Sequence, residues 1–420
     1  SGERLKIIAY PHDLNMGGSQ LNAIELGAAM RDLGHEVIIF GRPGSLVSYI
    51  DELGLEFIEA PAPGKRPSLR IARALRDLSH ERGIDVIHGY EWPPALEAVY
   101  ASRIGAKAVP VATVMSMAIP PFIPLRVPLA VGTEQIADFE RQQGRTQVAL
   151  IEPPVDSVSN APDQAGDVAG FIRDHQLDAD AIRLVVVTRL VPELKLEGIL
   201  SAVRAMPAID AATSSRVQLV IVGDGGARAQ VEAESVKVNE LLGRRAVVLT
   251  GQLADPRPAY AAADVMIGMG GSALRALAFA KPLIVQGENG FWRLLTPETL
   301  PEFLWGGWYG HGDGVELGEA AFASIADVIV SDAPLRAELG QFGRDLIEKR
   351  FALPNIARLQ DEIYRRAVSD RPGGMRSAVA DVQGLFRYAA YYVDKRVRRA
   401  MGREKTDDFN ARPVAARTKG

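Results

Sequence analysis

The chain reads as an α/β protein made of two successive doubly wound domains, and three observations predict this. Strand-like and helix-like segments alternate along most of its length. That alternation is interrupted by a stretch rich in Asp, Ser, Asn, Pro and Gly at 157–166, and then restarts. At 420 residues the chain also exceeds what one ordinary core accommodates. The expected layout is a first domain at 1–157, a second at 158–370 and a C-terminal extension at 371–420.

Composition narrows the class further. Hydrophobic residues make up 47% and charged residues 24%, a globular balance. A formal net charge of −4 carries no nucleic-acid signature, so no nucleic-acid partner is expected. With no cysteine, disulfides, thiolate metal sites and a cysteine nucleophile are excluded. The six histidines show no metal-ligand spacing, and no metal is expected. No apolar run approaches the roughly 20 residues of a membrane span, and no signal-peptide pattern opens the sequence. The expectation is a cytoplasmic protein. Its Ala- and Arg-rich usage fits a high-GC bacterial source.

In the first domain, 5–10 is a short apolar strand followed by the loop Asn15-Met16-Gly17-Gly18-Ser19. A helix at 20–33 ends at Gly34, and 35–40 is the next strand. This βαβ unit has a glycine-rich first turn, where backbone N–H groups and a helix N-terminus can cradle a phosphate or a sugar hydroxyl. Glycine also serves tight turns for backbone reasons alone, and both readings stand. Helices at 68–82 and 94–104 alternate with strands at 86–88, 108–113, 129–131 and 147–151. His88, Tyr90, Glu91 and, one strand later, Ser116 stand at strand ends, where functional residues and capping residues both occur. For His88 alone, a core histidine with satisfied hydrogen bonds is the favoured reading.

The second domain opens with a strand at 184–188, which runs into a loop carrying Arg189 and Lys195. Two cations just past the carboxyl end of a strand sit where open α/β sheets bind ligands. A planar guanidinium and a mobile ammonium together suit a diphosphate. The pattern continues through a helix at 197–206, a strand at 217–222, Gly223-Asp224-Gly225-Gly226, a helix at 227–242 and a strand at 247–249. Next come a helix at 256–262, a strand at 264–268, the loop Met269-Gly270-Gly271-Ser272, a helix at 273–280 and a strand at 283–286. Gly223–226 lacks the spacing of a dinucleotide fingerprint, so a nicotinamide cofactor is not expected. Beyond 320 the chain is mainly helical.

The extension differs in character. Between 384 and 405, Tyr388, Tyr391 and Tyr392 are interleaved with Arg387, Lys395, Arg396, Arg398 and Arg399. Such a helix either lies on an anionic membrane surface or packs its tyrosines on the body with a solvated basic face. The last dozen residues are expected to be disordered.

These landmarks, in this order, resemble the family 4-type glycosyltransferases of GT-B fold. The resemblance runs over about residues 5–370. It is carried by the 15–19 loop with Gly34-His35-Glu36-Val37, by Asp85-Val86-Ile87-His88 with Glu91, and by Glu152-Pro153-Pro154-Val155-Asp156. It continues through Thr188–Lys195, Gly223-Asp224-Gly225, Tyr260–Asp264 and Ala278–Pro282. It implies two Rossmann-like domains facing across a cleft. It also implies transfer of a sugar from a nucleotide-diphosphate donor to an acceptor, with retention of configuration and without a cofactor. Carried over residue by residue, Arg189 and Lys195 match the pair that stabilises the leaving diphosphate. Gly17 and Gly18 match the loop at the donor phosphate and sugar, and Gly223 opens the loop near the base. Gly270, Gly271 and Ser272 fall on the donor loop. Tyr90, His88, Glu91 and Ser116 fall on the acceptor side, with Tyr90 by the reacting centre.

Two positions depart from the family. Arg275 stands where a glutamate usually holds the ribose hydroxyls, and a donor-only cation cannot accept from them; Glu288 is the candidate substitute carboxylate. Tyr90 replaces a histidine common in relatives, and tyrosine is a poor base near neutral pH. The leading expectation is a retaining hexosyltransferase with an unknown acceptor, in keeping with cell-envelope glycan or glycolipid synthesis. The alternative is a glycosyltransferase-like binding subunit without catalysis. A non-hydrolysing nucleotide-sugar epimerase on the same fold ranks below both.

Overall fold

A computed structural model describes residues 3–371, 387–399 and 409. The first part of the chain runs β1 (Lys6–Tyr10), α1 (Gly18–Asp32), β2 (Glu36–Gly41), α2 (Val47–Glu52), β3 (Glu56–Glu59) and α3 (Leu69–Arg82). It continues with β4 (Val86–Tyr90), α4 (Trp92–Arg103), β5 (Val109–Val114), β6 (Leu129–Val131), α5 (Glu134–Gln142) and β7 (Val148–Leu150). The strands form one parallel sheet in the order β3-β2-β1-β4-β5-β6-β7. Ile7, Ile8, Ile38, Ile39, Val86 and Ile87 are all buried, so both sheet faces are covered. The short α2 and the polar β3 went unseen in the sequence reading because Glu56-Phe57-Ile58-Glu59 carries too few apolar residues to register as a strand.

The second part runs α6 (Val168–Asp174), β8 (Ile182–Val187), α7 (Glu197–Ala212), β9 (Val217–Val222), α8 (Arg228–Leu242), β10 (Val247–Gly251) and α9 (Arg257–Ala262). Then come β11 (Val265–Gly268), α10 (Gly271–Ala278), β12 (Leu283–Gln286), β13 (Trp292–Leu294), α11 (Leu300–Gly306), α12 (Gly318–Ser331) and α13 (Ala333–Leu346). The sheet order is β10-β9-β8-β11-β12-β13, parallel except for the antiparallel β12–β13 pair. The order reverses on either side of β8, so the loops after β8 and β11 diverge above the strand ends, a geometry that favours ligand binding. Two doubly wound parallel-dominated sheets are thus present, as the alternation predicts.

The last helix, α14 (Leu353–Ser369), returns to the first part. Residues 3–154 form one compact unit with 353–371, 387–399 and 409, and residues 155–352 form the other. The expected end of the second domain at 370 is thereby corrected to 352. The reason for the difference is physical: α14 buries Ile356, Ala357, Gln360, Tyr364 and Ala367 on one stripe, and that stripe packs on α1 and β5. The polar stretch at 157–166 is pinned, because Arg344 donates to the carbonyls of Ser157 at 3.1 Å and Asn160 at 3.0 Å. Among the described residues no helix is long and apolar enough to cross a membrane.

Candidate functional site

In the second unit the site is built at the carboxyl ends of β8, β9 and β12. After β8 the backbone of Thr188-Arg189-Leu190 is zipped to the loop after β9. Thr188 N–H donates to Val222 O, Leu190 N–H to Asp224 O, and Ala227 N–H to Leu190 O, each at 2.9 Å. Gly223 has φ +144°, and a Cβ there would overlap the Thr188 carbonyl. Only glycine lets these two loops approach so closely.

Beyond Leu190 the chain makes a turn at Pro192–Leu196 with a break inside it, Leu194 standing at φ +63° and ψ −19°. The break delivers Lys195 next to Arg189. Arg189 is exposed and Lys195 part-buried. Burial, and then the Arg189 charge, push the Lys195 ammonium down to about 8. Among the described residues neither cation has an ion-pair partner. Two like charges held side by side without a counter-charge raise the energy of the free protein, a state more often found at binding sites than elsewhere.

Two residues that the sequence reading missed hold this loop. Buried Gln286, at the end of β12, donates through Nε2 to the Lys195 carbonyl at 2.8 Å. Glu197, in the first turn of α7, accepts from Asn289 N–H at 3.0 Å and Gly290 N–H at 2.7 Å. The only sequence hint was a polar residue ending an apolar strand. Glu288 stands between these contacts. Its Oε2 accepts from the Tyr309 hydroxyl at 2.7 Å, so it is a braced carboxylate and not a free one.

The loop before α10 carries Gly270 at φ +57°, with Gly271 exposed. Ser272 Oγ donates back to Met269 O at 2.9 Å and so closes its own turn. Arg275, one turn into α10, lies beside buried Tyr260. Burial raises the pKa of that phenol, and the neighbouring Arg275 offsets only part of the rise.

In the first unit, Gly17 is extended and α1 begins at Gly18, just past β1, with no side-chain cap on its first-turn N–H groups. Asp13 organises this loop, accepting from Asn15 N–H at 2.9 Å and meeting His12 Nδ1 at 2.9 Å. Burial raises the Asp13 pKa, but these hydrogen bonds and His12 outweigh it, and the carboxyl stays below its ordinary range.

His88 and Tyr90 do not take the places expected of them. They lie on one face of β4, two residues apart, and that face meets α14. His88 is fully buried, its Nδ1 2.6 Å from the Tyr364 hydroxyl and its Nε2 2.7 Å from Thr113 Oγ1, and burial pushes its pKa down to about 3. Tyr90 stacks on it at 4.1 Å and is also enclosed. A role for Tyr90 beside a reacting centre is therefore corrected to a core role, and His88 keeps the core reading that its sequence context favoured.

Glu91 and Ser116 are brought together instead. The Glu91 carboxylate accepts from Ser116 Oγ at 3.0 Å and from Met115 N–H at 3.0 Å, across the ends of β4 and β5. Glu91 adopts φ +67°, unusual for a residue with a Cβ, and such strain clusters at ligand sites. Among the described residues no group of three or more His, Cys, Asp or Glu is placed to hold a metal ion.

Part of the C-terminal extension is described. Residues 387–399 form a helix whose Tyr388 and Tyr391 rest on Phe122, ring centroids 5.1 and 5.2 Å away, with Tyr388 Oη donating to Arg66 O at 3.1 Å. Tyr392, Val393 and Val397 are exposed, and Arg396 lies 5.6 Å from the Tyr392 ring. The remainder of 384–405 lies outside the described residues.

Comparison with known proteins follows the same division. Residues 17–152 match the family described as glycosyl transferase 4-like domain, and residues 181–298 match glycosyl transferases group 1. No curated protein sequence matches the chain. Among solved structures, a glycosyltransferase from Rickettsia africae superposes with a TM-score of 0.68 at 16% identity, covering 88% of this chain and 100% of its own. Anabaena HepE in complex with UDP gives 0.67 at 16% identity, covering 86% and 100%. WaaG, a glycosyltransferase involved in lipopolysaccharide biosynthesis, gives 0.56 at 13% identity, covering 88% and 100%. The two family matches lie in succession over more than half of the sequence, on the two units just described, and the chain belongs to the family 4-type glycosyltransferases of GT-B fold.

Proposed function

We propose that the chain is a hexosyltransferase that uses a nucleotide-diphosphate sugar and retains the anomeric configuration. The observation that carries this reading is the pair Arg189 and Lys195, two cations without an ion-pair partner among the described residues, on a loop fixed by Gln286 and Gly223. They would meet the donor diphosphate. As the bond from the sugar C1 to the phosphate oxygen breaks, the electron pair leaves with the diphosphate, and preorganised cations stabilise that charge. The acceptor oxygen then bonds to C1 on the face the diphosphate leaves, and its proton passes to the leaving phosphate oxygen. Transfer of this kind calls for neither a protein base nor a cofactor. The UDP held by the Anabaena structure supports a nucleotide diphosphate as the ligand class.

Gly17 and Gly18, Gly223, and Gly270 to Ser272 are assigned to the donor, and Glu91 with Ser116 to an acceptor hydroxyl. Alanine at both Arg189 and Lys195 tests the assignment: donor-sugar hydrolysis or transfer should fall by at least 100-fold, and unchanged turnover would sink it. Proton NMR of the first product formed gives the anomeric outcome, and inverted product would refute retention.

An acceptor in cell-envelope glycan or glycolipid synthesis suits the helix at 387–399, which turns Tyr392, Val393, Val397 and Arg396 outward while Tyr388 and Tyr391 face Phe122. Apolar and basic side chains on one outer face fit peripheral contact with an anionic bilayer. Co-sedimentation with anionic vesicles should weaken on Val393→Asp with Val397→Asp. A second reading, a binding subunit without catalysis, rests on the cation Arg275, beside Tyr260, standing where the family resemblance implies a ribose carboxylate. Tight binding of a nucleotide diphosphate together with turnover would remove it.

A further inference from the structure

The helix at 387–399 has two faces. Tyr388, Tyr391, Lys395 and Arg398 recur at helical spacing and turn inward, each at least part-buried, whereas Tyr392, Val393, Arg396 and Val397 stand exposed on the other side. The inner stripe rests on three segments of the first unit. Tyr388 Oη donates to the Arg66 carbonyl at 3.1 Å, in the segment that leads into α3, and its ring lies 6.2 Å from that of Trp92, the residue after Glu91. Tyr388 and Tyr391 both meet Phe122, and the Arg387 guanidinium donates to the Pro121 carbonyl at 3.4 Å. Phe122 belongs to the loop after β5, which carries Ser116 near its start. That loop can make few backbone hydrogen bonds, because Pro120, Pro121, Pro124 and Pro128 supply no N–H. Side chains hold it instead: Glu91 at Ser116, buried Arg145 at the Ile123 and Pro124 carbonyls, and the helix between them.

We propose that an anionic bilayer seated on the outer face of this helix stabilises its docked state and thereby orders the loops that carry Glu91 and Ser116. Packing on the body and lying on a membrane, the two roles open to this segment from its sequence, are then one device with a face for each. At this length a helix alone is marginal in water, so it depends on the surfaces it meets. The segment carries the basic residues Arg387, Lys395, Arg396, Arg398 and Arg399 against the single acid Asp394, although the chain as a whole has a net charge of −4. Asp394 is taken up by Arg398 at 2.8 Å. A local positive charge beside exposed Tyr392, Val393 and Val397 selects an anionic lipid surface over a neutral one. The outer face exists only while the segment is helical, so a bilayer that binds it favours the helix by mass action, and the Phe122 and Arg66 contacts come with it. The coupling is reciprocal: loops held by a bound acceptor would strengthen attachment to the bilayer. It rests on the readings above that Glu91 with Ser116 serves an acceptor and that this helix meets a bilayer.

The test is hydrogen–deuterium exchange of the full chain with and without vesicles of mixed phosphatidylglycerol and phosphatidylcholine, beside vesicle co-sedimentation. In wild type, anionic vesicles at about ten times the apparent dissociation constant should slow exchange about 10-fold at 61–68 and 115–127 as well as at 387–399. Vesicles of phosphatidylcholine alone should change nothing. Tyr388→Ala with Tyr391→Ala spares the outer face, so this variant should still co-sediment and still protect 387–399, while the response of both loops vanishes. Tyr388→Phe keeps the ring and removes the bond to Arg66, so the response should be lost at 61–68 and kept at 115–127. Val393→Asp with Val397→Asp should lose co-sedimentation and every response together. If wild type co-sediments but its loops do not respond, or exchange there quickens as the bilayer draws the helix away, the proposal is overturned and membrane contact stands. Failure of wild type to co-sediment overturns both. Loop protection alongside unimpaired transfer by Glu91→Gly supports the coupling and refutes only the acceptor assignment.

Discussion

Gln286 Nε2 and the Lys195 carbonyl oxygen stand 2.8 Å apart and join the end of β12 to the cationic loop after β8. The amide is buried, and Gly198 leaves it room, since a Cβ there would overlap it. Gln286→Met keeps the volume and removes the donor. The loss of one buried hydrogen bond costs about 0.5–1.5 kcal/mol. Here it should appear chiefly as looseness of Lys195, so nucleotide-diphosphate affinity should fall roughly 3- to 10-fold, with thermal unfolding changing little. Calorimetry beside a melting curve checks both, and a large drop in melting temperature with unchanged affinity would contradict the argument.

Lys195 predicts a pH signature. Its ammonium titrates near 8, depressed from 10.5, so its charge is lost as pH rises through about 8. A diphosphate favours the charged form, so affinity should be flat at pH 6–7 and decline above about 8, with proton uptake on binding in that range. Lys195→Arg, whose charge persists, should abolish the decline. The same depression makes the charged lysine a cost to the free fold at pH below about 8, a cost that vanishes toward pH 10.5. Lys195→Met should therefore raise the melting temperature of ligand-free protein at pH 7 while abolishing ligand-induced stabilisation. Each kcal/mol relieved corresponds to about 2–4 °C.

How far the sequence could foretell this arrangement depends on what each feature needs. The Val/Ile strands were legible because burial on both faces leaves a continuous apolar run. The place of Arg189 and Lys195 was legible because it follows from strand ends alone. The return of α14 to the first unit was not, because its stripe of Ile356, Gln360 and Tyr364 fits any apolar surface. Tyr90 was misplaced for the same reason: its parity with His88 on β4 was visible, but which face α14 would cover was not. Glu288 could be named as a carboxylate past a strand. Its brace, Tyr309, is 21 residues further on and reaches it through interlocked glycine loops that carry no periodic signal.

The buried His88 predicts that the first unit loses stability in acid. Burial depresses its pKa to about 3, below the ordinary 6.5. Between those values the unfolded chain binds a proton that the folded chain refuses, so stability contributed by neutral His88 is present above about 6.5 and lost as pH falls toward 3. Tyr364→Phe leaves one imidazole nitrogen without a partner in the core and should cost about 1–3 kcal/mol at pH 7. His88→Phe should flatten the acid limb of melting temperature against pH. An acid limb identical to that of wild type would show that other groups govern it.

Glu91 and Ser116 make the prediction for the acceptor side. Glu91 holds an unfavourable φ of +67° while its carboxylate accepts from Ser116 Oγ and Met115 N–H. Glu91→Gly removes the strain of a Cβ at positive φ, which is worth about 1 kcal/mol or more, but also removes both hydrogen bonds, so stability should shift little. Its effect belongs to turnover: the loops after β4 and β5 lose their common anchor, and the hydroxyl-binding group loses its orientation. Transfer to acceptor should fall at least 10-fold, while donor affinity and slow donor hydrolysis are retained, because the donor residues lie on other loops. Ser116→Ala keeps the Met115 contact and should lie between. Equal losses of hydrolysis and transfer in Glu91→Gly would place this pair in general loop support and not at the acceptor.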